Sequence, residues 1–463
     1  MTEERSAGTP VLRRMNRAAV LDAVRQRAPE PVRVAELARL TELTRPTVAQ
    51  AVEDLLAAGW LRQVAPQQAT VGRPATRFSL NGRAAPVLAL DVGPHTVTAG
   101  IADLAGERLA MIRRPVSRRG ARHLLEAVDE ATDAALAAAG LAAEQIAAVT
   151  AATPGIVEVA TGRVLFAPSV PGWPEIDLAG RLRARFRCAV TVENDANLAA
   201  LAAAHRHTGA GTLLAVQWGE RLGAGVVIDG RLHRGAGQAG EIGFIRPTDF
   251  LRPTSAIHPT GDLPDPTGDH PHPTGDHPHR DGDHPHPTGD HPHPTEDHPH
   301  RDGDHSHPTG DHPHRAGHHP DPAGDGRGPL ERAIGAEAIV DLARHRAAGH
   351  PESRLARAAD AAAVFAAAAD GDPMAVEVVD RVAAVFAEAI APAVLVLSPH
   401  AIVIGGGIAR AGAVLLDAIA RHLEGLTLTP PSVELSELAE GTVLTGAIQL
   451  ALDEVWRDAL TNC

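Results

Sequence analysis

The hexapeptide Val192-Glu193-Asn194-Asp195-Ala196-Asn197 sets amides beside carboxylates just after the apolar run Cys188 to Val192. A buried strand that ends this way presents the pair at the carboxyl edge of an open α/β sheet, where such sheets bind ligands. A carboxylate there can orient a sugar hydroxyl or accept its proton. Asn194 and Asp195 can equally cap the Ala-rich helix that follows, by accepting from its free N–H groups. Glycine-bearing turns recur at Asp91-Val92-Gly93, across 218–225 with Gly219 and Gly223, and at Gly405-Gly406-Gly407. Turns of this kind let a backbone approach a phosphate, or simply connect packed strands.

These groups need strands to hold them. Apolar runs at 87–92 and 96–103 flank the turn with Asp91 and Gly93 and predict a hairpin. Helical spacing over Leu124 to Ala139 precedes the run Ile146 to Ala151, which leads into Pro154-Gly155. Further runs at 212–216, 225–228 and 401–404 complete an alternation of strands and helices, the mark of an α/β fold. At 463 residues the chain exceeds what one core usually organises. We divide it into 1–82, 83–250, 251–326 and 327–463.

The first 82 residues read differently. Helical periodicity over 13–27 ends at Pro29 and Pro31, a short helix fits 34–40, and a third runs over 45–58 after a turn at 41–44. Helix, turn, helix lets one helix brace another in a DNA major groove. Thr44 is placed to cap the third helix, leaving Arg45, Thr47 and Gln50 near its entering end to meet phosphates or base edges. Two short strands around Gly72-Arg73-Pro74 resemble a wing, with Arg73 directed at a minor groove. The competing reading is a small protein-interaction domain whose arginines are merely solvated.

Charge supports DNA binding for this part alone. The chain carries a formal net charge of −14, yet residues 1–82 hold twelve Arg against eight acids, while 251–326 hold four against fourteen. Hydrophobic residues make up 44%, enough for globular cores, although aromatics are only 2% and Lys is absent. Cys188 and Cys463 are too far apart in the sequence to suggest a disulfide framework. The polar stretch Met1 to Pro10 lacks the apolar core of a secretory signal, and no apolar run is long enough to span a bilayer. A cytoplasmic location with no membrane partner is expected.

Seven consecutive heptads from Pro266 to His314 follow the pattern Pro-Thr-Gly-Asp-His-Pro-His with few substitutions. Proline and glycine recur and no apolar seam exists, so a coiled coil is excluded and a disordered or extended insertion is expected. Each unit sets Asp, His and His within four positions. His270, His272, His277, His279, His284 and His286 are therefore candidate ligands for Zn, Ni or Cu, unless the repeat is a linker produced by replication slippage.

Taken in order, Asp91-Val92-Gly93, Pro154-Gly155, Glu193 to Asn197, Gly240-Glu241-Ile242-Gly243 and Ile404 to Gly407 resemble the ROK family of sugar kinases and transcriptional repressors. The likeness covers nearly all of 83–250 and 327–463, and the winged helix-turn-helix matches the repressor branch. It implies an actin-like, two-lobed ATPase fold with a sugar cleft between lobes, and homodimers or higher oligomers. It also implies that Gly93, Pro154, Gly155, Asn194, Asp195, Glu241 and Glu331 bind sugar, with Asp195 as catalytic base in kinases. Asp91, Gly93, Gly219, Gly223 and Gly405 to Gly407 would face a nucleotide. Two departures weaken the kinase reading: His95 replaces the Thr of the first phosphate loop, and Glu220-Arg221 replaces Thr-Gly in the second. Glu220 would repel a triphosphate, although Arg221 can offset this locally. The family's structural zinc is not expected, because Phe244 replaces the ligand His and no Cys lies between 189 and 462.

These readings converge on a DNA-binding regulator, a repressor, whose ROK-like domain binds a sugar effector and whose dimer reads an inverted repeat in double-stranded DNA. The alternatives are an ATP-dependent sugar kinase carrying a DNA-binding domain, and a metal-responsive regulator using the histidine repeat.

Overall fold

The computed structural model describes residues 4–64, 76–207, 209, 211–247, 326–350, 352–436 and 441–462. Helices α1 (Glu4–Arg27), α2 (Val34–Thr41) and α3 (Arg45–Ala57) are followed by strands β1 (Leu61–Val64) and β2 (Arg77–Leu80). Apolar residues at helical spacing converge here: Val20, Leu21 and Val24 of α1 join Leu37 of α2 and Val48, Val52 and Leu55 of α3 in one buried cluster. β1 and β2 pair antiparallel, Leu61 opposite Leu80, and Val32 bridges to Phe78 on the other side. The expected wing is therefore present at its base, whereas its tip with Arg73 lies outside the described residues.

The chain then builds the same sheet twice. In the first, β3 (Val87–Val92), β4 (Thr96–Ala102) and β5 (Arg108–Pro115) form an antiparallel meander. After α4 (Ala121–Ala139), strand β6 (Ala148–Thr153) pairs parallel with β3. The hairpin β7 (Ile156–Glu158) and β8 (Arg163–Phe166) and helix α5 (Leu178–Phe186) lead to β9 (Ala189–Asn194), parallel to β6. The order is β5-β4-β3-β6-β9.

Helix α6 (Asp195–Arg206) leaves this sheet and packs on the second. There β10 (Thr212–Trp218), β11 (Leu222–Ile228) and β12 (Arg231–His233) repeat the meander. Helices α7 (Pro329–Ile334), α8 (Ala336–Arg346), α9 (Ala361–Ala369) and α10 (Pro373–Leu397) precede β13 (Ala401–Gly405). Helix α11 (Ala413–Glu424) and β14 (Ser432–Leu435) follow, giving the order β12-β11-β10-β13-β14 with β10, β13 and β14 parallel. Trp218 and Phe386 stack at 4.6 Å in this core, and the indole N–H donates to the Ile334 carbonyl at 2.9 Å. The repeated plan is the two-lobed α/β architecture expected.

Residues 218–225 depart from the sequence reading. Only 219–221 form the turn; Gly223 and Gly225 lie within β11. At Gly225 the missing side chain serves α6: a Cβ there would stand 2.5 Å from the Ala200 Cβ and 2.8 Å from the Ala196 carbonyl oxygen. Gly225 thus permits close helix-to-sheet contact rather than an approach to phosphate.

The last helix, α12 (Thr442–Asn462), ties the parts together. It crosses α6 so closely that a Cβ on Gly446 would meet the Leu198 carbonyl oxygen at 1.8 Å. Near its far end, the Arg25 guanidinium of α1 stands over the Trp456 ring at 4.7 Å and lies 3.9 Å from Asp453. Among the described residues no helix is long and apolar enough to cross a membrane.

Candidate functional site

Three parallel strands of the first sheet end in line. Asp91, next to last in β3, lies opposite Ala152, and Thr153 of β6 pairs with Asn194 of β9. The buried Trp173 donates its indole N–H to the Thr153 hydroxyl at 2.7 Å, fixing the strand end from which Pro154 and Gly155 emerge. Asn194 is the N-cap of α6, its Oδ1 accepting from Asn197 N at 3.1 Å. Its Nδ2 donates to the Gly155 carbonyl at 2.9 Å. Asp195 occupies the first helical position, with Oδ1 accepting from Ala196 N at 2.8 Å. Asn194 thus caps the helix and shapes the turn, and Asp195 is carried at the turn's rim.

A cavity of about 260 Å³ opens at this edge, with Pro154, Gly155, Asn194 and Asp195 on one side and Gly219, Gly223, Glu241, Glu331 and Gly406 on the other. Its size lies just under the roughly 300–1,000 Å³ typical of drug-sized ligands, which suits a monosaccharide. Asp91 and Gly93 instead face a separate hollow with His95 and Arg113, while Gly405 and Gly407 line neither. A larger hollow of about 970 Å³ lies beside Arg25, His205, Asp453 and Trp456, away from these carboxylates. The smaller cavity is the better candidate because polar groups from both sheets converge on it.

The carboxylates are strongly perturbed. Burial pushes Asp195 up to about 6, against backbone N–H donors at Ala196 and Asp195 that pull it down. Burial, then the charges of Asp195 and Glu331, raise Glu241 to about 7. Asp91 also reaches about 7 through burial and the Asp195 charge, with Arg113 opposing. A carboxyl group that is part-protonated near neutrality donates as well as accepts, which matches the double character of a hydroxyl. Glu331 is 4% exposed and anchored: its oxygens accept from Leu222 N and Gly328 N, both at 3.2 Å, and from Arg221 at 3.4 Å.

Arg221 is turned onto Glu331 and the Gly326 carbonyl, the latter at 3.0 Å. The other departures meet each other, with His95 Nε2 3.4 Å from Glu220 Oε2. Phe244, 37% exposed and lining the cavity, presents carbon where a zinc ligand would stand, so this position does not fit the metal. Among the described residues no cluster of three or more His, Cys, Asp or Glu could hold a metal ion. The histidine repeat, including His270 to His286, lies outside the described residues.

At the winged helix, the Thr44 side chain caps α3 by accepting from Thr47 N at 3.4 Å, and the two hydroxyls lie 2.8 Å apart. Arg45 is exposed. Gln50 is also exposed but lies along its helix, donating to Asp54 at 3.2 Å, where Arg13 of α1 makes a bidentate pair at 2.7 and 2.6 Å. Sequence reasoning missed Gln217, which lines the cavity, and the pair Glu193 and Arg234 directly behind it. Glu193 is visible in the motif; nothing in the sequence points from it to Arg234.

A winged helix joined to two similarly built sheets with a carboxylate-lined cleft defines a two-lobed, actin-like protein with a DNA-binding module. The chain belongs to the ROK family, whose profile matches residues 87–262 and 326–454. A MarR family profile matches 13–69. The chain is similar to a glucokinase of Halalkalibacterium halodurans, 26% identical over 73% of this chain and 85% of that one. It also resembles the xylose repressor of Caldicellulosiruptor bescii, 25% identical over 45% of this chain, and the regulator NagC of Escherichia coli, 26% over 51%. It spans only 53% and 58% of those two regulators. Among solved structures, a ROK family transcriptional regulator described as a homolog of the E. coli MLC protein shares the fold. Its TM-score is 0.67 at 22% identity, over 98% of this chain and all of that one. A Streptomyces griseus ROK glucokinase, in complex with glucose and AMPPNP, superposes with a TM-score of 0.54 at 23% identity, over 80% of this chain.

Proposed function

We propose that this protein is a sugar-responsive, DNA-binding transcriptional regulator, a repressor, acting in the cytoplasm as a homodimer or higher oligomer. The observation that carries the reading is the asymmetry of the cleft. Asp195 and Glu241 line a cavity of monosaccharide size, while two of the three residues that replace phosphate-loop positions, His95 and Glu220, pair with each other at 3.4 Å. Relatives of the chain carry the names xylose repressor and, in Escherichia coli, N-acetylglucosamine repressor, which supports a monosaccharide or its derivative as the effector class. Winged helices supply DNA affinity, with Arg45, Thr47 and Gln50 toward the bases and Arg73 in the minor groove. The effector shifts DNA affinity by binding two arrangements of the molecule unequally.

Thermal-shift screening against D-glucose, D-xylose and N-acetyl-D-glucosamine, followed by DNA binding with and without the hit, tests this. No shift with any sugar, or a sugar that leaves DNA affinity unchanged, overturns it. The glucokinase similarity favours a second reading in which Asp195, raised to about 6, is a catalytic base. Steady formation of sugar phosphate from ATP would establish that reading instead.

A further inference from the structure

Behind the cleft, an ion pair between a buried carboxylate and a half-buried arginine joins the two sheets. Glu193, in β9 of the first sheet, is 1% exposed, and its Oε2 accepts from Arg234 Nε at 2.6 Å. Arg234 directly follows β12 of the second sheet. The other Glu193 oxygen accepts from Asn194 N and Asn197 Nδ2, both at 2.9 Å, the residues whose turn holds Asp195 at the rim. The Arg234 carbonyl in turn accepts from Gly237 N at 2.8 Å and Ala239 N at 3.3 Å, organising the loop that leads to Glu241. Ala224 N donates to the Gly240 carbonyl at 2.8 Å and fastens the far end of that loop to β11. Neither Glu193 nor Arg234 lines the 260 Å³ cavity.

We infer that Arg234 is a positioning residue of the cleft, which, seated on Glu193, holds the Glu241 loop against the strand end that carries Asn194 and Asp195. The inference rests on the sugar reading given above. A charge this deeply covered is costly to leave unpaired, so the pair has one good geometry and the loop inherits it. Glu241 and Asp195 come from different sheets, and a ligand bridging them depends on a separation set from behind.

The test uses the full chain. Titration calorimetry with D-glucose, D-xylose and N-acetyl-D-glucosamine is run on wild type, R234M, R234K and E193Q, with thermal melts of each. Whichever sugar binds wild type should bind R234M about tenfold or more weakly, the size of effect seen for outer-shell partners elsewhere. R234K should recover part of that loss, a rescue that simple loss of packing would not give. If R234M does not fold, E193Q carries the same expectation, because it keeps an oxygen for Asn194 and Asn197 while removing the charge under Arg234. Unchanged affinity in a folded R234M or E193Q overturns the positioning role alone. Wild-type protein that binds none of the three sugars overturns the sugar reading and this role with it.

Discussion

His95 and Glu220 face each other across the two phosphate-loop positions, Nε2 to Oε2 at 3.4 Å, one from the turn after β3 and the other from the turn after β10. Both side chains are more than half exposed, so the contact adds little stability. In the function proposed above its effect is on what can enter: a carboxylate and a ring would occupy space that a triphosphate needs, and the carboxylate would repel it. Mixed with ATP and hexoses, the wild-type protein should form no sugar phosphate in a coupled assay. The H95T/E220T double variant should bind AMPPNP more tightly than wild type by calorimetry; equal affinity would show that the pair is not the obstacle.

In the function proposed above, Asp195 is the effector's anchor at the cavity rim. Asp195→Asn should remove sugar-induced release from DNA while leaving operator affinity without sugar near wild type and the melting temperature no lower than wild type. Fluorescence anisotropy on a labelled operator, with the sugar titrated in, checks this. A variant that still releases DNA would move the site elsewhere.

Burial raises Glu241 from its ordinary range to about 7, so its ionised form destabilises the folded state at high pH. Glu241→Gln should therefore stabilise the protein by about 1–3 kcal/mol at pH 8. The sign follows from linkage: the native state holds this proton more tightly than the unfolded chain does. The advantage of Gln should shrink as pH falls through about 7 and disappear below the unfolded carboxylate range, near 4.5. Urea melts at pH 8, 6 and 4.5 decide it, and a difference independent of pH would contradict the assignment.

Arg45 projects from the first turn of α3, while Gln50 is partly engaged by Asp54. Arg45→Ala should weaken operator binding by about 1–3 kcal/mol. If Arg45 contacts a phosphate instead, the loss will be the same on random duplex and the salt dependence will flatten by about one ion. Gel shifts on both duplexes at two salt concentrations separate the cases.

Much of this molecule is legible locally. The cap at Asn194, the cap at Thr44 and the hairpin around Gly93 follow from residues within a few positions of each other, where turn and capping chemistry acts. Gly225 is ambiguous in the sequence, because a glycine that admits a helix looks the same there as one that admits a phosphate. The direction of Arg221 and the pairing of Arg234 with Glu193 were invisible, since partners 110 and 41 positions away are chosen by how the sheets meet. The carboxylates could be named from the sequence; the burial, and after it the mutual repulsion, that raise Glu241 and Asp91 belong to the assembled fold.

The contact of Gly446 with Leu198 has a mechanical meaning. Most helix pairs are cushioned by side chains that can change rotamer and absorb a small displacement, but here one backbone rests on another. Asp195 stands at one end of α6, and the Trp456 ring near the end of α12 carries Arg25 of the first helix. Three rods thus bear on one another with a joint that has no slack in its middle, so the part of the molecule that grips a ligand and the part that grips DNA share one stiff linkage.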